Sequence, residues 1–207
     1  TCTVSKSAGA SGLFDLKTEK LIIPCEFNFE PIIGTSYVKF TQLKNGQSIC
    51  GIIKANGNVM IEPNYQSLSF LQNNMLFIAK IDGKYGLIDT TGKIRIPLDY
   101  ENIKFLSPSQ CYKGSLFSFA LNGKKGIISE NAEILIPAVY DDLSMGEFSV
   151  IYKIGNESGV MTLNQEKKLT IKDGIIRSES SGIIKWQDSE KRKFKSDFYN
   201  HTIENKN

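Results

Sequence analysis

Histidine is almost absent from this chain: His201 is the single one among 207 residues, in a polar stretch near the last residue. Nucleophilic catalysis by a Ser-His or Cys-His pair needs an imidazole held against the nucleophile, so no enzyme of that kind and no catalytic residue is expected. Cysteine is scarce too. Cys2, Cys25, Cys50 and Cys111 are scattered without a C-x-x-C pair, which argues against a zinc site and against a disulfide-dense small fold. They read as buried thiols acting as small apolar residues, with one bridge, Cys25 to Cys50, as the alternative in an exported protein. With neither a His/Cys/carboxylate cluster nor a D-x-D-x-D calcium loop, no metal and no cofactor is expected.

Long apolar runs are missing, and no stretch approaches the roughly 18 to 20 residues that cross a bilayer as a helix, so no transmembrane segment is expected. Nor is one sign of charge in excess: 25 Lys and Arg against 22 Asp and Glu leave a net +3. A nucleic-acid binder usually carries a basic stripe on one face, so nucleic acid is not an expected partner. The chain opens at Thr1 without Met, which fits removal of a signal peptide as well as trimming. An exported or envelope location and a cytoplasmic one both stand open.

What the chain has is a repeat of about 35 to 40 residues. Its copies begin at Gly12-Leu13-Phe14, Gly51-Ile52-Ile53, Gly86-Leu87-Ile88, Gly126-Ile127-Ile128 and, degraded, Gly159-Val160-Met161. Each continues through a polar turn, an apolar-x-apolar triplet, usually a Pro (Pro24, Pro63, Pro97, Pro137) and an aromatic residue. In the third copy Met75 to Ile81 reads as a strand, Asp82-Gly83 as a tight turn and Lys84 to Asp89 as a second strand. Thr90-Thr91-Gly92 forms a second turn, and Lys93 to Ile96 a third strand halted by Pro97. Asn45-Gly46, Asn122-Gly123 and Gly155-Asn156 repeat the first turn; Asn56-Gly57 and Asn131-Ala132 repeat the second. Each unit is therefore expected to be a three- or four-stranded antiparallel meander.

Within the triplets a period of two separates the faces. Leu21 and Ile23, Val59 and Ile61, Ile94 and Ile96, Ile134 and Ile136, and Leu169 and Ile171 are expected to point into a shared core. The intervening Ile22, Met60, Arg95, Leu135 and Thr170 are expected on a partly exposed face. Phe27, Tyr65, Tyr100 and Tyr140 recur at one place of the unit and read as inter-repeat packing contacts, with ligand-stacking platforms as the alternative. The recurrent Gly reads as a close backbone approach or bulge, since no phosphate-loop spacing accompanies it. The pair Asp141-Asp142 could supply glycosidase carboxylates, but it follows the repeat aromatic and reads as a polar turn or backbone cap.

The strings Lys84-Tyr85-Gly86-Leu87-Ile88-Asp89-Thr90-Thr91-Gly92-Lys93-Ile94-Arg95-Ile96-Pro97 and Lys125-Gly126-Ile127-Ile128, the latter followed by Ile134 to Asp142, resemble bacterial WG repeats, also called KWG repeats. The resemblance covers about residues 11 to 176 and implies a tandem β-rich repeat protein that mediates interactions, with no shared catalytic residues. Where that family has Trp before the Gly, this chain has Ser11, Cys50, Tyr85, Lys125 and Ser158, and its one Trp is Trp186.

The fold class expected is all-β, with about five tandem hairpin or meander repeats over 1–176 stacked into an open superhelical array; a closed propeller-like ring is the alternative. Residues 177–207 are expected to cap the array and end in a polar tail. The function expected is a non-enzymatic scaffold that binds another protein, as an immunity or envelope-associated interaction protein. The alternative is a carbohydrate-binding or glycan-processing module using the repeat aromatics. The partner-binding candidates lie where the copies disagree: Met60 and Arg95 on the variable face, and Trp186, Arg192 and Phe194 in the C-terminal segment that interleaves aromatic and basic residues.

Overall fold

The computed structural model of the chain describes residues 2–5, 11–106, 112–180, 182–197 and 203–206. Cys111, His201 and the segment Phe198 to Asn200 lie outside them. Among the described residues every regular element is a strand, and all strand pairs are antiparallel neighbours in sequence. A six-stranded sheet holds β1 (Cys2–Ser5), β2 (Ser11–Asp15), β3 (Lys20–Pro31), β4 (Tyr37–Lys44), β5 (Gln47–Lys54) and β6 (Val59–Tyr65). Four-stranded meanders follow. They are β7 (Ser67–Leu71) to β10 (Ile94–Tyr100) by way of β8 (Leu76–Ile81) and β9 (Lys84–Asp89), and then β11 (Asn102–Leu106), β12 (Leu116–Leu121), β13 (Lys124–Ser129) and β14 (Ile134–Tyr140). The next comprises β15 (Asp142–Met145), β16 (Val150–Ile154), β17 (Glu157–Met161) and β18 (Lys167–Lys172). The C-terminal segment forms a meander of its own from β19 (Ile175–Ser180), β20 (Ile183–Gln187), β21 (Lys193–Asp197) and β22 (Ile203–Lys206). The chain is all-β, built of tandem antiparallel hairpins in small open sheets.

Turn chemistry sets this pattern. Asn45-Gly46, Asp82-Gly83 and Asn122-Gly123 hold positive φ at both residues, the geometry whose twist matches that of the flanking strands. The following turn is longer, with a side chain capping it from within. Asp89 Oδ1 accepts the backbone N–H groups of Thr91 at 2.9 Å and Lys93 at 3.1 Å, while Ser129 Oγ accepts that of Glu133 at 3.2 Å. Its positive-φ position is Gly57, Gly92 or Ala132 in successive copies.

The prolines do not stop their strands. Pro97 lies inside β10, and Pro63 and Pro137 lie inside β6 and β14. The register shows why: Ile52 faces Ile61 and Cys50 faces Tyr65, so Glu62, Pro63 and Asn64 bulge opposite the single residue Gly51. The same shift sets Pro137, Ala138 and Val139 opposite Gly126, and Pro24, Cys25 and Glu26 opposite Gly12. A bulge leaves residues outside the ladder, so a proline with no N–H costs no ladder bond there. It also drives a carbonyl onto the repeat Gly. A Cβ would lie 2.4 Å from Ile61 O at Gly51, 2.6 Å from Ile96 O at Gly86 and 2.6 Å from Ile136 O at Gly126.

The triplets divide differently from the expected faces. Ile61, Ile96, Ile136 and Ile171 are buried, but the first residue of the triplet stays half in solvent, with Leu21 51%, Val59 49%, Ile94 55% and Ile134 54% exposed. Val59, Ile94 and Ile134 begin edge strands beside the longer turn, and Leu21 lies one residue into β3 where only β2 pairs with it, so one flank of each has no neighbouring strand. Val59 and Ile134 face the buried Ile53 and Ile128 across the ladder, covering them with one side only. The middle residue meets the turn of the following copy: a Cβ at Gly57 would lie 2.1 Å from Ile22 Cγ2, and Gln165 Nε2 donates to Leu135 O at 3.3 Å.

Two compact units divide the chain, Thr1–Asp99 and Tyr100–Asn207. In the first, Cys50, Ile52, Ile61, Leu68, Phe77, Ala79 and Ile88 make the largest cluster, and Leu13, Phe40 and Ile53 a second. In the other, Leu116, Ile127, Ile136, Tyr140, Leu143, Val150, Tyr152 and Met161 pack together, while Val160 and Ile184 anchor a smaller cluster. Cys25 and Cys50 are free thiols. Cys25 Sγ donates to Val4 O at 3.6 Å, and burial pushes the Cys50 thiol pKa up.

Candidate partner-binding surfaces

Much of what looks chemical in the sequence is taken up by joints between meanders. The residue after each repeat aromatic is polar, and after Tyr65, Tyr100 and Tyr140 its side chain reaches the tight turn that follows. The N–H of Gly83 donates to Gln66 Oε1 at 3.0 Å, that of Gly123 to Glu101 Oε2 at 3.0 Å and that of Gly155 to Asp141 Oδ2 at 2.6 Å. Asp141 also pairs with Lys124, and Asp142 with Lys125. The Lys124 ammonium first, and then the Gly155 N–H, hold the Asp141 carboxyl below the usual carboxylate range. Asp141 is thus a turn cap, while Asp142 accepts the N–H of Leu143 at 3.0 Å at the start of β15.

Aromatic residues form the other joint. Phe27 meets Phe40 edge-on at 5.5 Å, Tyr100 meets Phe119 at 4.8 Å and Tyr140 meets Tyr152 at 5.4 Å. Phe40, Phe119 and Tyr152 are the cross-strand partners of Gly51, Gly126 and Gly159, and each lays its ring on the bare glycine. The third copy has Ala79 opposite Gly86, and there Tyr65 packs against the cluster that contains Ala79. Tyr140 is buried and Phe27, Tyr65 and Tyr100 are half-buried, so the four do not form an open row of platforms. Across the ladder Phe27, Tyr65 and Tyr140 face Ser11, Cys50 and Lys125, the residues that stand before the repeat Gly.

The candidates on the variable face fare differently. Met60 is half-buried against the main cluster of its unit, and its carbonyl lies 3.9 Å from where a Cβ of Gly92 would stand. Arg95 is exposed, but its guanidinium leans on the turn carboxylate, with Nε 3.4 Å from Asp89 Oδ2. Both belong to the first unit, whereas the C-terminal candidates belong to the second.

Trp186 and Phe194 are brought together. They face each other across β20 and β21 with stacked rings, centroids 4.1 Å apart and planes 15° apart. Trp186 Nε1 donates at 3.1 Å to Oγ of the buried Ser196, and Trp186 packs on the Val160 and Ile184 cluster. Because side chains alternate along a strand, Lys185, Gln187, Lys193 and Lys195 leave the sheet on the opposite face. There Gln187 Oε1 accepts from Arg177 Nε at 3.2 Å and Nη2 at 2.7 Å. Arg177, Lys185, Trp186, Gln187, Lys193, Phe194 and Lys195 line a shallow hollow of about 610 Å³. Arg192 is not part of it: its Nε and Nη1 pair with Asp188 at 2.6 Å and Glu190 at 3.2 Å in the turn between β20 and β21.

Sequence reasoning missed Glu179. Buried on β19, its Oε2 accepts Phe148 N–H at 2.9 Å and Ser149 Oγ–H at 3.1 Å, tying down the loop before β16, and its Oε1 has no partner among the described residues. No motif marks it, because it lies beyond the repeat and its partners are some thirty positions away. Arg177 and Lys185 were missed as well, although the strand alternation through Lys193 and Lys195 would have placed Lys185 with them.

The family described as WG containing repeat matches residues 51–85 and 85–107. None of the curated proteins compared with the chain matches it. Among solved structures, the computationally designed Ika8 protein is similar over 97% of this chain and 69% of its own, with 10% identity and a TM-score of 0.41. Apo AztD from Citrobacter koseri is similar over 95% of this chain and 66% of its own, with 7% identity and a TM-score of 0.46. Hsv2 from Kluyveromyces lactis is similar over 93% and 68%, with 9% identity and a TM-score of 0.42. No helix among the described residues is long and apolar enough to cross a membrane. The match to the WG containing repeat thus spans residues 51–107, which hold the second and third copies of the unit.

Proposed function

We propose that the chain is a non-enzymatic repeat scaffold that binds another protein. The observation that carries this reading is the exposed first residue of the triplet. A single half-exposed aliphatic side chain on a surface means little. Leu21, Val59, Ile94 and Ile134 are the same position of four successive copies, each about half in solvent, in copies that have diverged at the residue before the Gly. Covering one cross-strand neighbour needs an apolar flank, but a Thr or a Lys stem would serve that purpose as well. An aliphatic residue kept at an exposed place in four copies fits an apolar contact with a partner.

The test places a photo-crosslinking residue at Ile94 in the full chain and compares capture from cell lysate with that by Val59→Lys and Ile94→Lys variants. The expected result is one predominant protein adduct that the substitutions abolish while the thermal transition stays in place. Absence of an adduct, or capture indifferent to both substitutions, would overturn the reading. So would turnover of a substrate by the purified chain.

A further inference from the structure

We propose that the outer face of the C-terminal sheet is a second docking surface, and that its occupant is an acidic, extended segment of a protein. The inference deepens the protein-binding reading and rests on it. Lys185 and Lys195 are directly cross-strand, Lys193 faces Gln187, and Arg177 is pinned beside them on Gln187 Oε1. Like charges placed opposite each other destabilise a sheet. No ion pair among the described residues involves Lys185, Lys193 or Lys195, and unlike the unpaired lysines elsewhere in the unit these three stand together on one face of one sheet. In the register of β22, position 204 pairs with Lys195 and position 206 with Lys193. A repulsive pair at the centre of a sheet face is answered by charge supplied from outside.

The shape and lining of the face choose among anions. A strand of five residues is about 17 Å long and the three gaps of a four-stranded sheet span about 14 Å, room for a peptide of a few residues. The rings that would stack nucleobases are already engaged: Trp186 and Phe194 stack on each other and Trp186 Nε1 is held by Ser196 Oγ, so neither is a free platform of the kind used by single-stranded nucleic acid. Ile175 and Ile183 are 39% and 41% exposed, and both belong by strand alternation to the basic face. Cations flanked by aliphatic side chains suit a segment in which Asp or Glu alternates with apolar residues.

The single Trp makes a built-in reporter, because it lines the hollow. The full chain is titrated with a peptide of alternating Glu and Leu, with a thymidine decanucleotide and with phosphatidylserine vesicles, following Trp186 fluorescence and anisotropy at two salt concentrations. The expected result is saturable binding of the peptide, weakened by salt, and at least about tenfold weaker in Lys185→Glu but unchanged in Lys17→Glu. Lys185→Glu also replaces the like-charged pair by a Glu facing Lys195, so its urea midpoint should rise, which separates lost binding from lost folding. Failure of the peptide to bind, tighter binding of the oligonucleotide or the vesicles, or a Lys185→Glu variant that binds as the parent does would overturn the proposal. Lysate capture at Ile94 that persists in any of these cases would leave the protein-binding reading standing and remove only this surface.

Discussion

Two substitutions of opposite sign test whether backbone geometry or composition governs the repeat. Replacing Gly by Ala inside a strand ordinarily stabilises, because Gly costs about 0.5–1 kcal/mol there. At Gly86 the sign should reverse. The three nearest atoms to an added Cβ are Ile96 O at 2.6 Å, Pro97 O at 2.6 Å and Pro97 C at 2.8 Å, all backbone and none able to swing aside. Gly86→Ala should cost about 2–3 kcal/mol as overpacking does, read as a lower urea midpoint. At Ala132 φ is 65°, where the sister copies have Gly57 and Gly92. Ala132→Gly should release left-handed strain worth about 1–2 kcal/mol, offset by the greater freedom of Gly in the unfolded chain. A net gain of about 0.5–1 kcal/mol in chemical denaturation is expected. A residue with a charge adds a dependence on pH. The Asp141 carboxyl is depressed by Lys124 and then by Gly155 N–H, so its contribution is complete above the unfolded value near pH 4 and is lost as pH falls through the lower folded value. The urea midpoints of the parent and Asp141→Asn should therefore differ at pH 7 and converge below about pH 4; a constant gap across that range would show the cap to be independent of charge.

At the scale of elements, the turns and the meanders were legible in the amino-acid pattern, because Asn-Gly and Asp-Gly force positive φ and positive φ forces a hairpin. The close approach at the repeat Gly was legible for the same local reason. Prolines misled: Pro97 reads as a strand stop but lies inside β10, and in the sister copies Pro63 and Pro137 sit in bulges opposite Gly51 and Gly126, a property of two strands and not of one. The exposed flank of Leu21, Val59, Ile94 and Ile134 was hidden in the same way, since period two assigns a face but not the depth along a strand at which neighbours run out. Of the site, the Trp186 and Phe194 pair was visible as interleaved aromatic and basic residues, whereas its separation from the lysines follows only once strand pairing is fixed. Glu179 was illegible because the loop it holds, Gly146 to Ser149, is joined to it by tertiary contact alone. That loop supplies a further prediction. Glu179→Ala removes the acceptor of Phe148 N–H and Ser149 Oγ–H, and leaving such donors unpaired costs about 1–3 kcal/mol. Proteolysis of the native protein should then shift to sites within 146–149, and an unchanged cleavage pattern would show that the loop holds itself.

At the scale of the whole molecule, stability should be graded along the second unit, because repeats that contact mainly their neighbours are stabilised by the interfaces they share. Strands β12 and β13 contribute Leu116, Phe117, Phe119, Ile127 and Ile128 to the buried interior, whereas β19 to β22 contribute Ile184 as the only fully buried apolar residue among those described. The last sheet has its own stack of Trp186 on Phe194 and packs onto Val160, but it has little interior to lose on opening. Opening free energy follows buried apolar contact, so amides of β20 and β21 should exchange with solvent well before those of β12 and β13 in native-state hydrogen exchange. The gap should narrow in Lys185→Glu, where the repulsion across the last sheet is gone, and should stay as it is in Lys17→Glu. If β20 and β21 exchange as slowly as β12 and β13 in the parent, the last sheet is held by more than the described contacts, and the charge pair is then too small a part of its stability to have been kept for binding at a cost.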